Sequence, residues 1–272
     1  MRLGLALPNE QAEHPLAART LFEAARRIEA AGFESIWTFD AMGRGFLVPD
    51  PLTALAVAAS ATERVMLGTG VLQVPLRNPV ELARRVLTTH LVCGNRLRLG
   101  VGSGSTLADF AAVGVDFDAR FRALDRSLGI MRALWRGEKV GEADLGPIWP
   151  AVLGGPPVMI GAWAGSTWIK RAAQEFDGWV ASGARSNWAL LAKGIARFRE
   201  LGGRHAVVTN VPVRLGDAES SPDGPDDPAI LRCPRSVAIE RLRRFRDLGF
   251  DDVVLVARRH DAEALAELRS LV

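Results

Sequence analysis

Three glycine-rich segments are the first candidates for chemistry, because each follows a short apolar run typical of a strand. They read GTGV at residues 68–71, GVGSG at residues 100–104 and GAWAGST at residues 161–167. Glycine carries no Cβ, so a flat ligand can lie directly on the main chain there. In parallel αβ folds, ligands bind at the carboxyl ends of the strands. The stretch from residue 65 to 104, which contains the first two segments, therefore predicts the active face.

The GAWAGST segment is the best candidate for an anion site. It follows a predicted strand and opens a predicted helix, where unpaired backbone N–H groups favour a phosphate. The hydroxyls of Ser166 and Thr167 add two further donors. The alternative is that Gly165 and Ser166 only cap the helix. The other two glycine segments also have structural alternatives, a simple turn at residues 100–104 and a β-bulge at residues 68–71.

Asp40 and His14 are the candidates for catalysis. Asp40 ends the second predicted strand in an apolar setting, where barrel enzymes often carry functional side chains; a loop-capping aspartate is the alternative. His14 lies in the first loop and could act as an acid or base; a surface histidine is the alternative. The other histidines and the two cysteines lack metal-ligand spacing, and the sequence contains neither a GxSxG nor an HExxH motif. We therefore expect no metal and no serine nucleophile.

Composition narrows the class of protein. The chain has 272 residues, of which 48% are hydrophobic, and a formal net charge of +3. Charges alternate in sign along the predicted helices, which is typical of solvated faces rather than of a nucleic-acid surface. No apolar run approaches the roughly 18 residues of a membrane span, and the first residues lack the pattern of a signal peptide. These features favour a cytoplasmic protein with a small-molecule substrate and neither a nucleic-acid nor a membrane partner.

The elements that must position these residues alternate between strand and helix. Hydrophobic patterns predict strands at residues 2–7, 35–39, 65–71, 96–101, 157–162, 179–181, 206–213 and 252–256. They predict helices at residues 16–31, 52–61, 79–91, 118–135, 166–175, 188–201, 234–248 and 262–272. Eight such units favour an α/β fold with a single (β/α)8 TIM-type barrel domain over residues 1–272, with loop insertions near 137–156 and 217–232. The alternative is a doubly wound sheet, although no GxGxxG loop follows the first strand.

Several segments also match one family in their order and spacing. They are GFESIW at residues 32–37, LGTGV at residues 67–71 with Arg77-Asn78-Pro79, and RLRLGVGSG at residues 96–104. GVDF at residues 114–117 with Arg120, and residues 157–161 with Asp177-Gly178-Trp179, continue the match. Over at least residues 1–201 the chain resembles the luciferase-like monooxygenase superfamily, which includes flavin-dependent oxidoreductases and dehydrogenases that use the deazaflavin F420.

The resemblance implies an αβ barrel oxidoreductase or monooxygenase that holds a reduced flavin or deazaflavin ring in its mouth. It implies F420 or FMN as the cofactor, with F420 slightly favoured, a small organic substrate, a homodimer and a separate flavin or F420 reductase as a partner. It also implies a non-proline cis peptide at Gly70–Val71 and a cofactor phosphate at residues 164–167. The candidate cofactor-binding residues are Gly70, Val71, Gly102, Ser103, Gly104, Ser105, Gly161, Ala162, Trp163, Ala164, Gly165, Ser166 and Thr167.

Two departures from the family pattern bear on mechanism. Ala41 follows Asp40 where many members have histidine, and Ser105 stands where F420-dependent sugar-phosphate dehydrogenases carry glutamate. Both of those acid/base groups are missing, which argues against sugar-phosphate oxidation. It also supports a second hypothesis, a non-catalytic barrel that binds a flavin or another ligand for storage or sensing. Arg44 and Arg77 are the candidates to meet the acidic tail of F420.

Overall fold

The computed structural model describes residues 1–9, 16–163, 165–216 and 222–272. The strands of this part of the chain are β1 (Arg2–Ala6), β2 (Ser35–Thr38), β3 (Met66–Thr69), β4 (Leu72–Gln73), β5 (Leu97–Gly102), β6 (Val158–Gly161), β7 (Gly178–Ser182), β8 (Ala206–Leu215), β9 (Leu231–Cys233) and β10 (Asp252–Val256). Its helices are α1 (Thr20–Ala30), α2 (Pro51–Ala61), α3 (Pro79–Val92), α4 (Leu107–Val113), α5 (Arg120–Trp135), α6 (Trp168–Gln174), α7 (Trp188–Glu200), α8 (Arg235–Leu248) and α9 (Ala262–Arg269).

Eight strands close into a parallel barrel. Their order is β1-β2-β3-β5-β6-β7-β8-β10, and β10 pairs with β1 to complete the ring. The two remaining strands are accessory, since β4 pairs with β5 beyond the end of β3 and β9 pairs with the end of β8. Parallel neighbours need crossover connections, which the helices between them supply. The predicted barrel is thus confirmed, and the doubly wound sheet is wrong.

The barrel interior holds a small cluster of buried side chains that is separate from the main core. Trp37, Met159, Val180, Val207 and Val254 form this cluster, and the half-buried Val71 packs against it. Every member except Val71 lies on a barrel strand, and side chains alternate between the two faces of a strand. The larger core cluster contains the other strand faces and the buried faces of the helices. Val71 therefore lies on top of the filled interior, towards the carboxyl ends of the strands.

Polar side chains fix the starts of the helices that leave the mouth of the barrel. The side chain of Asp50 accepts a hydrogen bond from the backbone N–H of Thr53 at the start of α2, and Pro51 follows it. Asn78 caps α3 in the same way, again followed by a proline. Asn187 caps α7. These N-caps, with proline at the first helical position where present, set where each loop ends.

The element boundaries differ from the prediction at several helix starts. The helix predicted from residue 16 begins at Thr20, and the one predicted from residue 166 begins at Trp168. Helix α4 lies in a segment predicted as loop. Between residues 137 and 156 the chain forms a bridge of Val140 with Ala143 and a single 3-10 turn at Pro150–Val152. Of the second proposed insertion, residues 217–221 lie outside the described residues; the single-domain assignment and both insertions stay predictions.

The described helices include none long and apolar enough to span a membrane.

Candidate active site

A cavity of about 310 Å³ opens at the carboxyl ends of the barrel strands. Each of the eight barrel strands contributes residues to it, either from the strand itself or from the segment that follows. The lining residues are Asn9, Phe39, Asp40, Ala41, Arg44, Phe46, Val48, Gly70, Val71, Gln73, Gly102, Ser103, Gly104, Ser105, Thr106, Phe121, Leu124, Gly161, Ala162, Trp163, Ser166, Trp168, Val180, Ala181, Ser182, Arg185, Thr209, Asn210 and Val256. The cavity thus lies where a barrel places its ligand.

The structure brings most of the sequence-predicted site residues to this cavity. They are Asp40, Gly70, Val71, Gly102, Ser103, Gly104, Ser105, Gly161, Ala162, Trp163 and Ser166. Gly165 and Thr167 are described but do not line it. His14 and Ala164 lie outside the described residues.

The floor of the cavity is formed around Val71. The Gly70–Val71 peptide bond is cis, as the family resemblance predicts. A Cβ on Gly102 would lie 2.7 Å from Val71 Cγ2, and a Cβ on Gly161 would lie 2.7 Å from Val71 Cγ1. The space that these two glycines leave is therefore filled by the Val71 side chain, which differs from the expectation that a ligand would contact bare main chain there. Glycine at both positions lets Val71 present an apolar surface to the cavity.

Asp40 is held by two neighbours at the edge of this floor. Arg77 makes a bidentate ion pair with it, with Nη1 2.6 Å from Oδ2 and Nη2 3.0 Å from Oδ1. The backbone N–H of Gln73 donates to the same carboxylate at 2.8 Å. Both side chains of the pair are buried. Asp40 is thus held in one orientation by three hydrogen bonds, which suits it to orienting a ligand.

Asp109, which sequence reasoning missed, lies behind Asp40 and ties the loops together. It is fully buried on α4. It accepts hydrogen bonds from the backbone N–H groups of Met42 and Gly43, from the side chain of Gln73 and, as an ion pair, from Arg44. Although burial alone would raise the pKa of Asp109, these donors hold it well below its ordinary value. We call Asp40, Arg44, Gln73, Arg77 and Asp109 the carboxylate network.

The network has two consequences for the predictions. Arg77 is buried against Asp40 and Arg44 is paired with Asp109, so both arginines already have an anionic partner, and their contact with an acidic cofactor tail stays a prediction. Gln73 donates its amide N–H groups to the backbone oxygen of Asp40 and to Asp109, and its Oε1 has no partner among the described residues. A Cβ on Gly104 would lie 2.6 Å from that oxygen, so a glycine is required beside it.

The predicted phosphate segment has a local structure of its own. The backbone N–H of Ser166 donates to Trp163 O at 2.8 Å, and the Ser166 hydroxyl accepts from the backbone N–H of Trp168 at 3.1 Å. Ser166 therefore forms a local turn just before α6, whose N-cap residue Thr167 makes no side-chain capping hydrogen bond, so the capping alternative is not what the segment shows. The position of Ser166 at the rim of the cavity also leaves it beside any ligand bound there.

A second set of polar residues lines the opposite side of the cavity, and sequence reasoning did not single it out. We call Ser182, Arg185, Thr209 and Asn210 the β7–β8 wall. Asn210 Nδ2 donates to Ser182 Oγ at 3.3 Å, and Thr209 Oγ1 donates to Ala181 O at 3.1 Å. An asparagine within a β-branched strand, as in VVTNVPV, was the available signal, since asparagine is depleted in strands.

A match over most of the sequence identifies the family. The sequence model of the luciferase-like monooxygenases matches residues 1–220, most of the chain. The chain belongs to the luciferase-like monooxygenase family. This luciferase-like protein carries the family's barrel with a non-proline cis bond at Gly70–Val71.

The chain is similar to one curated relative in sequence and to two solved structures in fold. The F420-dependent glucose-6-phosphate dehydrogenase of Mycobacterium tuberculosis is 31% identical over 215 residues, 74% of this chain and 62% of that protein. This chain therefore spans less than two thirds of that relative's length. An F420-dependent secondary alcohol dehydrogenase in complex with an F420-acetone adduct superposes with a TM-score of 0.77 at 16% identity, covering 100% of this chain and 98% of that one.

The second structure is the oxygenating constituent of the 3,6-diketocamphane monooxygenase of Pseudomonas putida in complex with FMN. It has a TM-score of 0.77 at 15% identity and covers 100% of this chain and 96% of its own. At these identities the two structures support the fold of the luciferase-like protein and no more.

The described residues of the luciferase-like protein contain no group of three or more histidine, cysteine, aspartate or glutamate side chains placed to hold a metal ion. What the cavity offers instead is an apolar floor, a fixed carboxylate on one side and neutral or cationic donors on the other. That arrangement can hold a flat polar ring and orient a second small molecule beside it.

Proposed function

We propose that this protein is an oxidoreductase that uses a reduced flavin or deazaflavin, with F420 favoured over FMN, on a small organic substrate. The observation that carries the proposal is the raised apolar floor at Val71, flanked by polar edges, in a cavity at the ligand-binding face of a luciferase-like barrel. A floor of this kind supports a flat ring from below while its polar rim hydrogen-bonds the edge.

The size of the cavity fits the ring and not a whole cofactor. A volume of about 310 Å³ is at the lower end of ligand pockets, which run to roughly 300–1,000 Å³. In the proposal, the ring lies on the Val71 side chain, which covers Gly102 and Gly161, and the remaining residues of the candidate set line its edges. The phosphate and tail of the cofactor then leave the cavity near residues 164–167.

The protein supplies placement and a dry pocket, while the bound cofactor supplies hydride transfer or oxygen activation. Val71 sets the height of the ring above the interior cluster. Asp40, fixed by Arg77, orients a donor group of the ring or of the substrate. His14 stays the proposed acid or base, because Asp40 is the single carboxylate among the described lining residues and it is already paired.

The choice of F420 over FMN rests on the relatives. The curated relative named above is an F420-dependent enzyme, whereas an FMN complex occurs among the more distant structures. The test is a fluorescence titration of the purified protein with F420 and, separately, with FMN. Tight binding of F420 alone supports the proposal as written. Tight binding of FMN alone changes the cofactor, and binding of neither at micromolar concentration overturns the proposal.

A second candidate function is a barrel that binds the cofactor without turning it over. Ser105 and Ala41, where relatives carry acid/base residues, favour it. The deciding experiment is a search for turnover of the reduced cofactor with panels of small carbonyl compounds and with oxygen. Any substrate-dependent oxidation of the cofactor would overturn the binding-only function.

Further parts of the proposal concern the setting of the enzyme. We place it in the cytoplasm as a homodimer, with a separate flavin or F420 reductase regenerating the reduced cofactor and no nucleic-acid or membrane partner. Sedimentation or light scattering at several protein concentrations tests the dimer, and a monomer throughout would contradict it.

A further inference from the structure

Another cavity lies at the opposite end of the barrel, around the amino ends of β1, β8 and β10. Its volume is about 580 Å³, and we call it the basal cavity. Strand β1 contributes Arg2 to its wall, and the segment before β8 contributes Arg204 and His205. Arg246, near the end of α8, and Asp251, in the turn before β10, form the other side. Barrel enzymes carry out catalysis at the other face, so the proposed function leaves this cavity unexplained.

Asp251 is the single carboxylate among the described residues that line the basal cavity, and it is already paired. Its Oδ2 accepts hydrogen bonds from Arg199 Nη2 and from the backbone N–H of Ala206, both at 2.7 Å. Arg199 also donates to the backbone oxygens of Arg204 and Gly249, at 2.5 and 2.7 Å. These contacts join the segment before β8 to the turn before β10, so the walls of the cavity have a fixed geometry.

Arg2 and His205 share a buried carboxylate behind the wall. Asp252 is 3% exposed, and it accepts from Arg2 Nε at 2.6 Å and from Arg2 Nη2 at 2.7 Å. His205 Nε2 contacts the same carboxylate. Although burial alone would raise the pKa of Asp252, the hydrogen bonds from His205 and Arg2 hold it below its ordinary value. Asp252 therefore compensates the charge of Arg2 from inside the barrel.

The two outer arginines have much less compensation. Arg204 is exposed and has no ion pair with any residue that the structure describes. Arg246 is paired with its chain neighbour Asp247, with 3.3 Å between Nε and Oδ1, and both side chains are more than half exposed. An exposed pair of this kind contributes little, because water and salt screen it. The basal cavity therefore has an excess of positive charge on guanidinium groups that can still donate hydrogen bonds.

The chemistry of the wall favours a compact anion with more than one negative charge. A guanidinium binds phosphate oxygens through two parallel hydrogen bonds, and a phosphate group has enough oxygens for two arginines. Phe250 also lines the cavity, but it is 3% exposed, so it offers little apolar surface to a ligand. The arrangement therefore suits a small phosphate compound better than a ligand with a large apolar body.

Half of this wall comes from a part of the chain that the family model does not match. The match covers residues 1–220, whereas Arg246, Phe250 and Asp251 come after it. The carboxylate network at the mouth, in contrast, lies within the matched residues. Membership of the family therefore does not account for the basal cavity or for its charge.

We propose that the basal cavity is a second binding site and that it takes a small phosphate-bearing anion such as pyrophosphate. Arg204 and Arg246 bind the phosphate oxygens, and Arg2 with His205 forms the compensated wall behind them. A bound anion joins the segment before β8 to the end of α8, so it stabilises the folded barrel. The site is independent of the proposed function, because it lies at the face of the barrel opposite the mouth.

The first experiment measures binding at the two arginines themselves. Pyrophosphate is titrated into ¹⁵N-labelled protein at constant ionic strength set with sodium chloride. The side-chain Nε–H resonances of Arg204 and Arg246, assigned through Arg204→Gln and Arg246→Gln, should shift saturably with one dissociation constant below about 1 mM. The resonance of Arg126 is the internal control, because Arg126 is exposed on α5 outside both cavities and has no ion pair with a described residue. Equal shifts at all three arginines, or none, would overturn the inference.

Thermal unfolding of matched variants gives the second test. An anion that binds the folded protein raises the midpoint, by about 3–6 °C at about ten times the dissociation constant. We expect this rise in wild type and in the control Arg126→Gln. Arg204→Gln and Arg246→Gln should each weaken binding about tenfold, as the loss of one charge-assisted contact does, and reduce the rise accordingly. An undiminished rise in both variants would mean that pyrophosphate binds elsewhere.

Cofactor-loaded protein separates the basal cavity from the mouth, where residues 164–167 are proposed to hold a phosphate. If the pyrophosphate shifts at Arg204 persist with F420 or FMN bound, the anion binds in the basal cavity. If a bound cofactor abolishes them, the anion binds in the mouth and the inference is overturned. If neither cofactor binds while Arg204 and Arg246 still respond, the proposed function fails and the inference stands.

ADP distinguishes the two sources of the phosphate group. Tighter binding of ADP than of pyrophosphate, followed at the Arg204 and Arg246 resonances, identifies the ligand as a nucleotide. Weaker or equal binding of ADP identifies it as a free polyphosphate. If neither compound shifts these resonances saturably, the basal cavity is not a phosphate site.

Discussion

The two sides of the cavity differ in how completely their polar groups are paired. In the carboxylate network, Asp40 has a bidentate arginine and a backbone donor, and Asp109 has four donor residues. In the β7–β8 wall, Asn210 donates to Ser182 at 3.3 Å, Thr209 donates to Ala181 O at 3.1 Å, and Arg185 has no ion pair with a described residue. The first side has many contacts that hold it in one geometry, and the second has few.

The difference indicates a division of labour. A buried ion pair with satisfied partners keeps its geometry whether or not a ligand is present, so it suits the fixed ring of a cofactor. Unpaired donors and acceptors cost less free energy at the rim, where water can hydrogen-bond them. They suit a ligand that binds and dissociates in each cycle. Variants test this division by removing partners from the carboxylate network and by measuring whether the β7–β8 wall contributes as much to stability.

The largest effect is expected from Asp40→Asn. The substitution removes the bidentate anion of the buried Arg77 guanidinium and leaves only Asp50, whose Oδ2 lies 3.8 Å from Arg77 Nη2; removing one partner of a buried pair costs about 3–5 kcal/mol. The free energy of unfolding from urea titration measures it. The matched control is Asp125→Asn at the surface, where the pair with Arg171 is partly exposed and its loss should cost less than about 1 kcal/mol. Equal losses in the two variants would contradict the assignment of Asp40 to a rigid network.

Asp109→Asn should have the second-largest effect. We expect the free energy of unfolding to fall by about 1.5–3 kcal/mol, the range for hydrogen bonds to a charged group. The pKa of Asp109 is lowered in the folded protein, from an ordinary value of 3.8. Its contribution to stability is therefore complete above that ordinary value and is lost as the pH falls from about 4 towards the lowered pKa. The variant should lose less stability than wild type over that acid range.

Other carboxyl groups also make the stability of Asp109→Asn depend on pH in the acid range. The pKa values of Asp252 and Asp50 are also lowered, the first chiefly through His205 and Arg2 and the second through Thr53 and Arg85, against the opposing effect of burial. The variant should therefore still lose stability in acid, with a smaller slope. Identical slopes in urea titrations of wild type and variant between about pH 4 and pH 2 would mean that Asp109 does not carry this linkage.

The sequence was sufficient to predict the barrel and the position of the cavity, because the hydrophobic pattern of the strands and the glycines that follow them are local signals. It was not sufficient for the carboxylate network. Asp40 and Arg77 lie 37 positions apart, and the sequence around either residue does not indicate that the two form an ion pair. Asp109 was missed because α4 has only seven residues, too few for a helical period to stand out, and exposes Leu107 at one end.

The glycine segments show a subtler limit. Sequence reasoning correctly placed Gly70, Gly102 and Gly161 at the cavity, but not what fills the space above two of them. That space is set where β5 and β6 meet the segment at Val71, which is a property of the closed barrel. A pattern along one strand contains no information on which side chain from another part of the chain lies over it.

Gly102→Ala tests this floor and should cost about 1–3 kcal/mol, the usual range for overpacking. Its new Cβ would lie 2.7 Å from Val71 Cγ2, so the valine must move. Adding Val71→Ala removes the clashing methyl groups, and the double variant should be more stable in urea titration than Gly102→Ala alone. If the two changes are additive, Val71 does not occupy the space above Gly102.

Ser182→Ala should have the smallest effect on stability, within about 0.5 kcal/mol, although Ser182 lines the same cavity as Asp40. Among the described residues its hydroxyl has one hydrogen-bond partner, Asn210 at 3.3 Å, and the donor of this long hydrogen bond can turn to water. Thermal unfolding of the two proteins in parallel measures the difference. A loss near that of Asp109→Asn would mean that the β7–β8 wall is as rigid as the carboxylate network, and the division between a fixed and an adaptable side would not hold.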